Sequence, residues 1–224
     1  MPGRYLRSFA VLAFAAVLLG GCVSAGVRSI AFVTPEVGEA YIPLYMGTRI
    51  GSSRFAAAVV IAPNIAVTND HNLNLVLPDT VSARSPSYDL LFFRTERAQA
   101  VRTTSPKVGQ AVIAYGQDGQ SRRREAKGIV RELNARVLPI CDGCPERATV
   151  TFDAEAGVGF SGGPVVDIAS GGVVGIVVGY LDGAAEDGGR RMYAMDIDFV
   201  IAEMQRLIGA EVRNGNSEIG TSGR

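Results

Sequence analysis

The sequence predicts an all-β body closed by one terminal helix, and three observations lead there. Between about residues 41 and 180, short runs rich in Val, Ile and Ala alternate with glycine-containing breaks, the pattern of sandwiches and barrels rather than of alternating strand and helix units. The chain holds 27 glycines, which suits many tight turns. Only residues 196–208 differ: Ile197, Val200, Ile201, Met204, Leu207 and Ile208 recur at helical spacing, with Gly209 as a stop. A length of 224 residues with 47% hydrophobic residues allows one large all-β domain or two small ones. Basic and acidic residues balance at 22 each, so no global field favours nucleic acid or an anionic membrane.

Taken in order, the chain opens on Arg4 and Arg7, then a continuous apolar run over residues 9–19 and the small pair Gly20-Gly21. The run is shorter than the roughly 20 residues of a membrane span and reads as a secretion signal over residues 1–21. Leu19-Gly20-Gly21-Cys22 resembles the lipobox of bacterial lipoproteins, which implies acylation of Cys22, the alternative being an ordinary signal with an incidental cysteine. Several acyl chains would anchor firmly where one binds marginally. Val23 rather than aspartate after that cysteine implies, by the same resemblance, an outer-membrane anchor facing the periplasm. Residues 22–39 are expected to be a flexible linker, and residues 209–224 a disordered tail. Strands are expected at 41–46, 55–61, 65–68, 90–94, 110–115, 128–133, 148–152, 163–167 and 172–180, with a seam between two halves near Pro106.

With Cys22 set aside, Cys141 and Cys144 form an even pair for an oxidising compartment, and a local disulfide is expected. Free or redox-active thiols are the alternative. Zinc would need four ligands, and the remaining candidates, Cys22 and His71, have other uses, so no metal is expected.

The chemistry converges on one residue, because His71 is the single histidine of the chain. It ends Ala66-Val67-Thr68-Asn69-Asp70-His71; Asp89 heads Asp89-Leu90-Leu91; Ser161 lies in Gly157-Val158-Gly159-Phe160-Ser161-Gly162-Gly163-Pro164. A serine hydroxyl attacks a carbonyl only if an imidazole takes its proton and a carboxylate fixes the imidazole tautomer. Each residue alone has a plain structural reading: a packed histidine, a turn aspartate, a turn serine. The flanking glycines change this, since two backbone amides must point at a developing oxyanion, and Gly159 with Gly162-Gly163 supplies the needed backbone freedom. Gly159 and Ser161 are then the expected oxyanion-hole donors. Asp79 is a secondary carboxylate candidate.

The motifs Val67-Thr68-Asn69-Asp70-His71, Asp89-Leu90-Leu91, Asp153-Ala154 and Ser161-Gly162-Gly163-Pro164, with Lys107-Val108-Gly109-Gln110, resemble trypsin-like serine peptidases, closest to the bacterial Deg (HtrA) type without its PDZ module. The resemblance implies two six-stranded antiparallel β-barrels of the chymotrypsin kind, at about 40–100 and 105–195, with the helix at 196–208 completing a peptidase domain over 40–208. It implies His71, Asp89 and Ser161 meeting between the barrels, no cofactor, and a polypeptide substrate added as a strand along Val178-Gly179-Tyr180.

Two positions depart from that pattern. Phe160 replaces the usual Asn or Asp before the serine, so the loop must be held by packing and no new N-terminus can pair there. Val178 stands where many relatives carry a hydroxyl that supports the triad aspartate. Glu155 could favour a basic side chain in the specificity pocket, but a small or aliphatic preference is the default. Arg122-Arg123-Arg124 reads as a solvated hairpin tip. The expected activity is thus an envelope-anchored serine endopeptidase. The alternatives are a catalytically impaired peptide-binding lipoprotein of the same fold, and a structural lipoprotein with chance motifs. Oligomeric state is open.

Overall fold

The computed structural model describes residues 26–29, 31–48, 51–137 and 147–218. Cys22, Cys141, Cys144 and the signal at 1–21 lie outside them, as do the expected lipid anchor and disulfide. The described elements are strand β1 (Val27–Arg28), helix α1 (Pro35–Ala40), strands β2 (Tyr41–Thr48), β3 (Gly51–Ala62), β4 (Ile65–Thr68), β5 (Val81–Ser85), β6 (Leu90–Arg94), β7 (Ala111–Gln117), β8 (Arg123–Val137), β9 (Arg147–Asp153), β10 (Pro164–Asp167), β11 (Val173–Leu181) and β12 (Arg191–Asp196), then helix α2 (Ile197–Glu218). Neither helix is long and apolar enough to cross a membrane.

The strands form two antiparallel sheets. In the second half β8-β7-β10-β11-β12-β9 closes through pairing of β8 with β9, giving a six-stranded barrel. β8 is long enough to serve twice: its first residues face β7, while Ile129 and those after it pair with β9. The first half is a five-stranded sheet, β2-β3-β4-β6-β5, among the described residues. This is one strand fewer than the six expected. Beside β5, where the sheet ends, α2 packs instead: Ser85 Oγ donates to Glu203 at 2.5 Å, and Tyr88 meets Phe199 edge-on at 4.8 Å. A helix laid along a terminal strand shields it much as another strand would.

Period-2 alternation explains how unbroken apolar runs are buried on both faces. On β7, Val112 and Ala114 point into the barrel, whereas Ile113 and Tyr115 join the core shared with the first sheet and α2. The halves are stitched by the amide of Ala57, which donates to the Ser161 carbonyl at 2.9 Å, and by the buried Gln117 amide, which donates to Leu44 and Ala56 carbonyls. The seam at 95–110 is likewise tied to both, Val101 N–H to Val60 and Thr104 N–H to Val173.

Three further expectations change. The described part of the linker is built into the body: Val27 and Arg28 pair with Glu125 and Arg124 of β8, Phe32 packs against Tyr41 and Tyr115, and Val37 and Ala40 are buried. α2 continues through Gly209 and Gly215 to Glu218; a glycine inside a helix costs only about 1 kcal/mol and does not by itself end it. The arginine hairpin is not merely solvated. Arg122 pairs with Asp118 at the tip, the Arg123 guanidinium lies 4.0 Å above the Phe32 ring, and Arg124 donates to the Gly26 carbonyl.

Candidate active site

β4 delivers the first components. It ends at Thr68, a tight 3-10 turn over Asp70–Leu75 follows, and His71 comes to lie at the rim of the cleft between the two halves. Asp70 accepts both Nε and Nη2 of Arg84 at 2.7 and 2.8 Å, which pins the turn to β5. Asp89 closes the turn Pro86–Tyr88 with a left-handed φ of 55°, a conformation that Asp tolerates better than most residues. That bend drives its carboxylate inward, where the side chain is 3% exposed.

His71 donates to this carboxylate twice. Its backbone N–H reaches Oδ1 at 3.0 Å, and its Nδ1 lies 2.8 Å from Oδ2 and 3.1 Å from Oδ1. A proton held on Nδ1 leaves Nε2 as the basic lone pair, and the ring is open to the cavity. Asn69, fully buried, donates from Nδ2 to the Asp89 carbonyl at 3.2 Å and fixes the carboxylate's own backbone. His71 supplies every hydrogen bond that the Asp89 carboxylate receives among the described residues, so Val178 adds no support there. Asp79 sits on an exposed turn, its carbonyl taken by Arg94.

Ser161 faces the same cavity as His71. Its Oγ makes no hydrogen bond to the imidazole or to any other described residue, a looseness common in unliganded sites. Its carbonyl is fixed by Ala57 N–H and, more distantly, by the Asn72 amide at 3.5 Å. Before the serine, Phe160 N–H donates to the Gly157 carbonyl at 3.1 Å, and Gly159 has φ +92°, as a type II turn requires at its third residue. Only glycine fits: a Cβ on Gly159 would lie 1.9 Å from the Gln117 carbonyl oxygen. The Gly159 and Ser161 amides donate to no described group, and both residues border the cavity. Gln117 N–H donates to the Gly159 carbonyl at 3.1 Å and Gly163 N–H to the Phe160 carbonyl at 2.8 Å, so backbone bonds as well as packing hold the loop.

Phe160 is fully buried in the barrel core. A Cβ placed on Gly26 or Gly116 would stand within 2.8 Å of its side chain, so both glycines make room for the ring.

The cavity, about 660 Å³, has one wall from the barrel and one from the first half. On β11 a bulge between Val177 and Gly179 leaves Val178 outside the β12 register. Pairing with β10 ends at Ile176, and Val177 bonds to Gly162 and Gly163, so from Val178 the edge away from β12 is open. A side chain at Gly179 would meet open space. Val177, Tyr180 and Met192 give this wall an apolar lining.

Glu155 is not part of that lining. Its carboxylate accepts the Arg190 N–H at 3.3 Å, while the Arg190 side chain bonds Asp182 and the Ala156 carbonyl and lies 4.5 Å over Tyr180. Asp153 is likewise structural, bridging Arg131 and Arg191. Burial opposes ionisation there, but the two guanidinium bonds outweigh it and hold the carboxyl below its ordinary range. Sequence reasoning passed over Arg190, Asn72 and Met192, whose placement depends on tertiary contacts without a local pattern.

No curated protein matches the chain in sequence. Among solved structures, the inactive form of Rv3671c from M. tuberculosis superposes with TM-score 0.61 at 21% identity, covering 82% of this chain and 98% of that one. The MamO protease domain from Magnetospirillum magneticum gives 0.60 at 18%, over 76% and 98%. The HtrA-type protease AlgW with a tripeptide gives 0.61 at 21%, over 80% and 64%. At these identities the likeness shows the fold. The family model described as a trypsin-like peptidase domain matches residues 60–176, from β3 through the serine loop into β11. That stretch is more than half of the sequence and contains His71, Asp89 and Ser161, and the chain belongs to the trypsin-like peptidase family.

Proposed function

We propose that the protein is a serine endopeptidase with Ser161 as nucleophile, His71 as general base and Asp89 as the carboxylate that orients it. The observation that carries this reading is the doubly bonded His71–Asp89 pair facing, across one cavity, a serine flanked by two unused amides. A substrate segment lies along the open edge of Val178, Gly179 and Tyr180, with an aliphatic side chain against Val177 and Met192. His71 Nε2 takes the Oγ proton as Ser161 attacks the carbonyl carbon. The Gly159 and Ser161 amides bind the oxyanion. Collapse breaks the C–N bond, the imidazolium protonates the departing amine, and water admitted by the same base releases the acyl group. We further propose tethering to the cell envelope through an acylated Cys22, facing the periplasm, with a Cys141–Cys144 disulfide formed there.

Fluorophosphonate labelling of the purified protein tests the core of this reading. Wild type should be modified at Ser161 and His71→Ala should not; equal labelling of the two would remove the triad. A second reading, a peptide-binding module without turnover, draws on the missing Ser161–His71 hydrogen bond and on an Asp89 carboxylate that, among the described residues, accepts from His71 alone. It requires peptide binding without labelling.

A further inference from the structure

Arg54 stands on β3 opposite Met46, directly before Phe55, and its exposed side chain lines the same cavity as His71 and Ser161. Most arginines here are engaged: Arg84 with Asp70, Arg122 with Asp118, Arg190 with Asp182, Arg206 with Glu203, and Arg131 and Arg191 with Asp153. The Arg54 guanidinium has no ion pair and no hydrogen bond among the described residues. The described lining of the cavity includes no carboxylate; Arg54 is the one Arg or Lys in that lining, with His71 and Tyr180 the remaining ionisable side chains. Asp89 lies behind the imidazole and is occupied by it. In a chain whose formal charge is zero, the cleft is therefore locally positive on one side.

That side is defined by the chain path. Phe55 covers the serine loop, since a Cβ on Gly159 would lie 2.6 Å from its ring, and Ala57 bonds the Ser161 carbonyl. β3 thus runs past the nucleophile as a separate wall from Val177, Tyr180 and Met192. A peptide whose acyl part lies on the open β11 edge must, beyond Ser161, leave along Phe55 and Arg54.

We propose that Arg54 selects substrates bearing a carboxylate within the first residues after the scissile bond. The proposal rests on the peptidase reading above for its direction along the chain. The carboxylate has two sources, an Asp or Glu side chain or the substrate's own C-terminus. An exposed guanidinium and a carboxylate attract modestly, equivalent to at most about fivefold in affinity or rate, and a lysine in place of the acid adds repulsion to the contrast.

Matched quenched peptides carrying Asp, Asn or Lys at the second position after the cut, with amidated ends, would be compared at one fixed pH and ionic strength; a fourth carries Asn and a free C-terminus. The Asp-to-Lys ratio of kcat/KM should be about threefold to tenfold or more in the wild type and invert in Arg54→Glu. A ratio taken within one variant is independent of its active fraction. Preference for the free C-terminus with indifference to Asp would assign the terminal carboxylate. The same four peptides would be titrated against Ser161→Ala by fluorescence polarisation. Acid-selective binding lost in Ser161→Ala/Arg54→Glu, without wild-type turnover, would sink the peptidase reading and keep the carboxylate site. Equal handling of Asp, Asn, Lys and free-terminus peptides in both assays would overturn the role of Arg54.

Discussion

Asp89 gives both carboxylate oxygens to His71, and no other described group donates to them. The imidazole's tautomer therefore hangs on one acid. Asp89→Asn replaces an acceptor with an amide that can present a donor to Nδ1, which moves the proton to Nε2 and removes the base. Turnover should fall by about 10⁴-fold with KM little changed. Steady-state kinetics and the rate of fluorophosphonate labelling would both read it; a loss under tenfold would mean the pair is not the orienting one. At Phe160 the matter is packing. The ring is completely buried beside Ser161, so Phe160→Ala should cost about 3–5 kcal/mol, seen as a lowered urea midpoint. A shift below about 1 kcal/mol would show that the loop does not depend on the ring. That His71, Asp89 and Ser161 come together was legible in sequence, because the acyl transfer proposed above would demand those residue types in a glycine-rich context. Arg54 and Met192 were not, since nothing local distinguishes a cleft-facing arginine or methionine from any other.

α2 is joined to the first sheet by one buried polar contact. Ser85 at the end of β5 donates to Glu203, which is also held by Arg206 through two guanidinium bonds. Arg206 lowers the Glu203 carboxyl most; burial acts against it, and the Ser85 hydroxyl adds to the lowering. A carboxyl lowered by folding contributes stability above its unfolded value, and that contribution is lost as pH falls through the folded one. The stability difference between wild type and Glu203→Gln should therefore shrink on acidification below the ordinary carboxylate range. A difference constant with pH would contradict the ion pair. Ser85→Ala, by removing a donor from a buried acceptor, should cost about 1–3 kcal/mol at neutral pH in urea melts. Strand legibility followed composition. β4 and β6 show the β-branched and aromatic runs that pairing favours, whereas β12, reading Arg-Met-Tyr-Ala-Met-Asp, has no β-branched residue and is a strand because β11 and β9 flank it. β5 is likewise imposed by β6.

Across the whole molecule, the N-terminal segment reaches the back of the candidate active site. β1 has two residues and no sequence signature; β8 gives it form, which is why 22–39 read as a linker. Gly26 lies against Phe160, the Gly26 carbonyl is taken by Arg124, Phe32 sits between Tyr41 and Tyr115 beneath Arg123, and Val33 N–H donates to the Tyr115 hydroxyl at 2.8 Å. Residues 26–29 and 31–33 thus close the outside of the barrel where the residue preceding Ser161 is buried. Their removal uncovers one side of the Phe160 ring and leaves the Tyr115 hydroxyl without its donor. A chain beginning at Thr34 should be less stable than one beginning at Gly26 by about 2–4 kcal/mol, from lost apolar contact and one hydrogen bond. Its kcat should fall by about tenfold or more while KM changes less, since displacement of the Gly159 and Ser161 amides weakens binding of the oxyanion rather than of the substrate. Urea melts and kcat with KM on the two chains decide it. Equal stability and equal kcat would make the segment a passive tether, whereas lower stability with unchanged kcat would confine it to the barrel and detach it from catalysis.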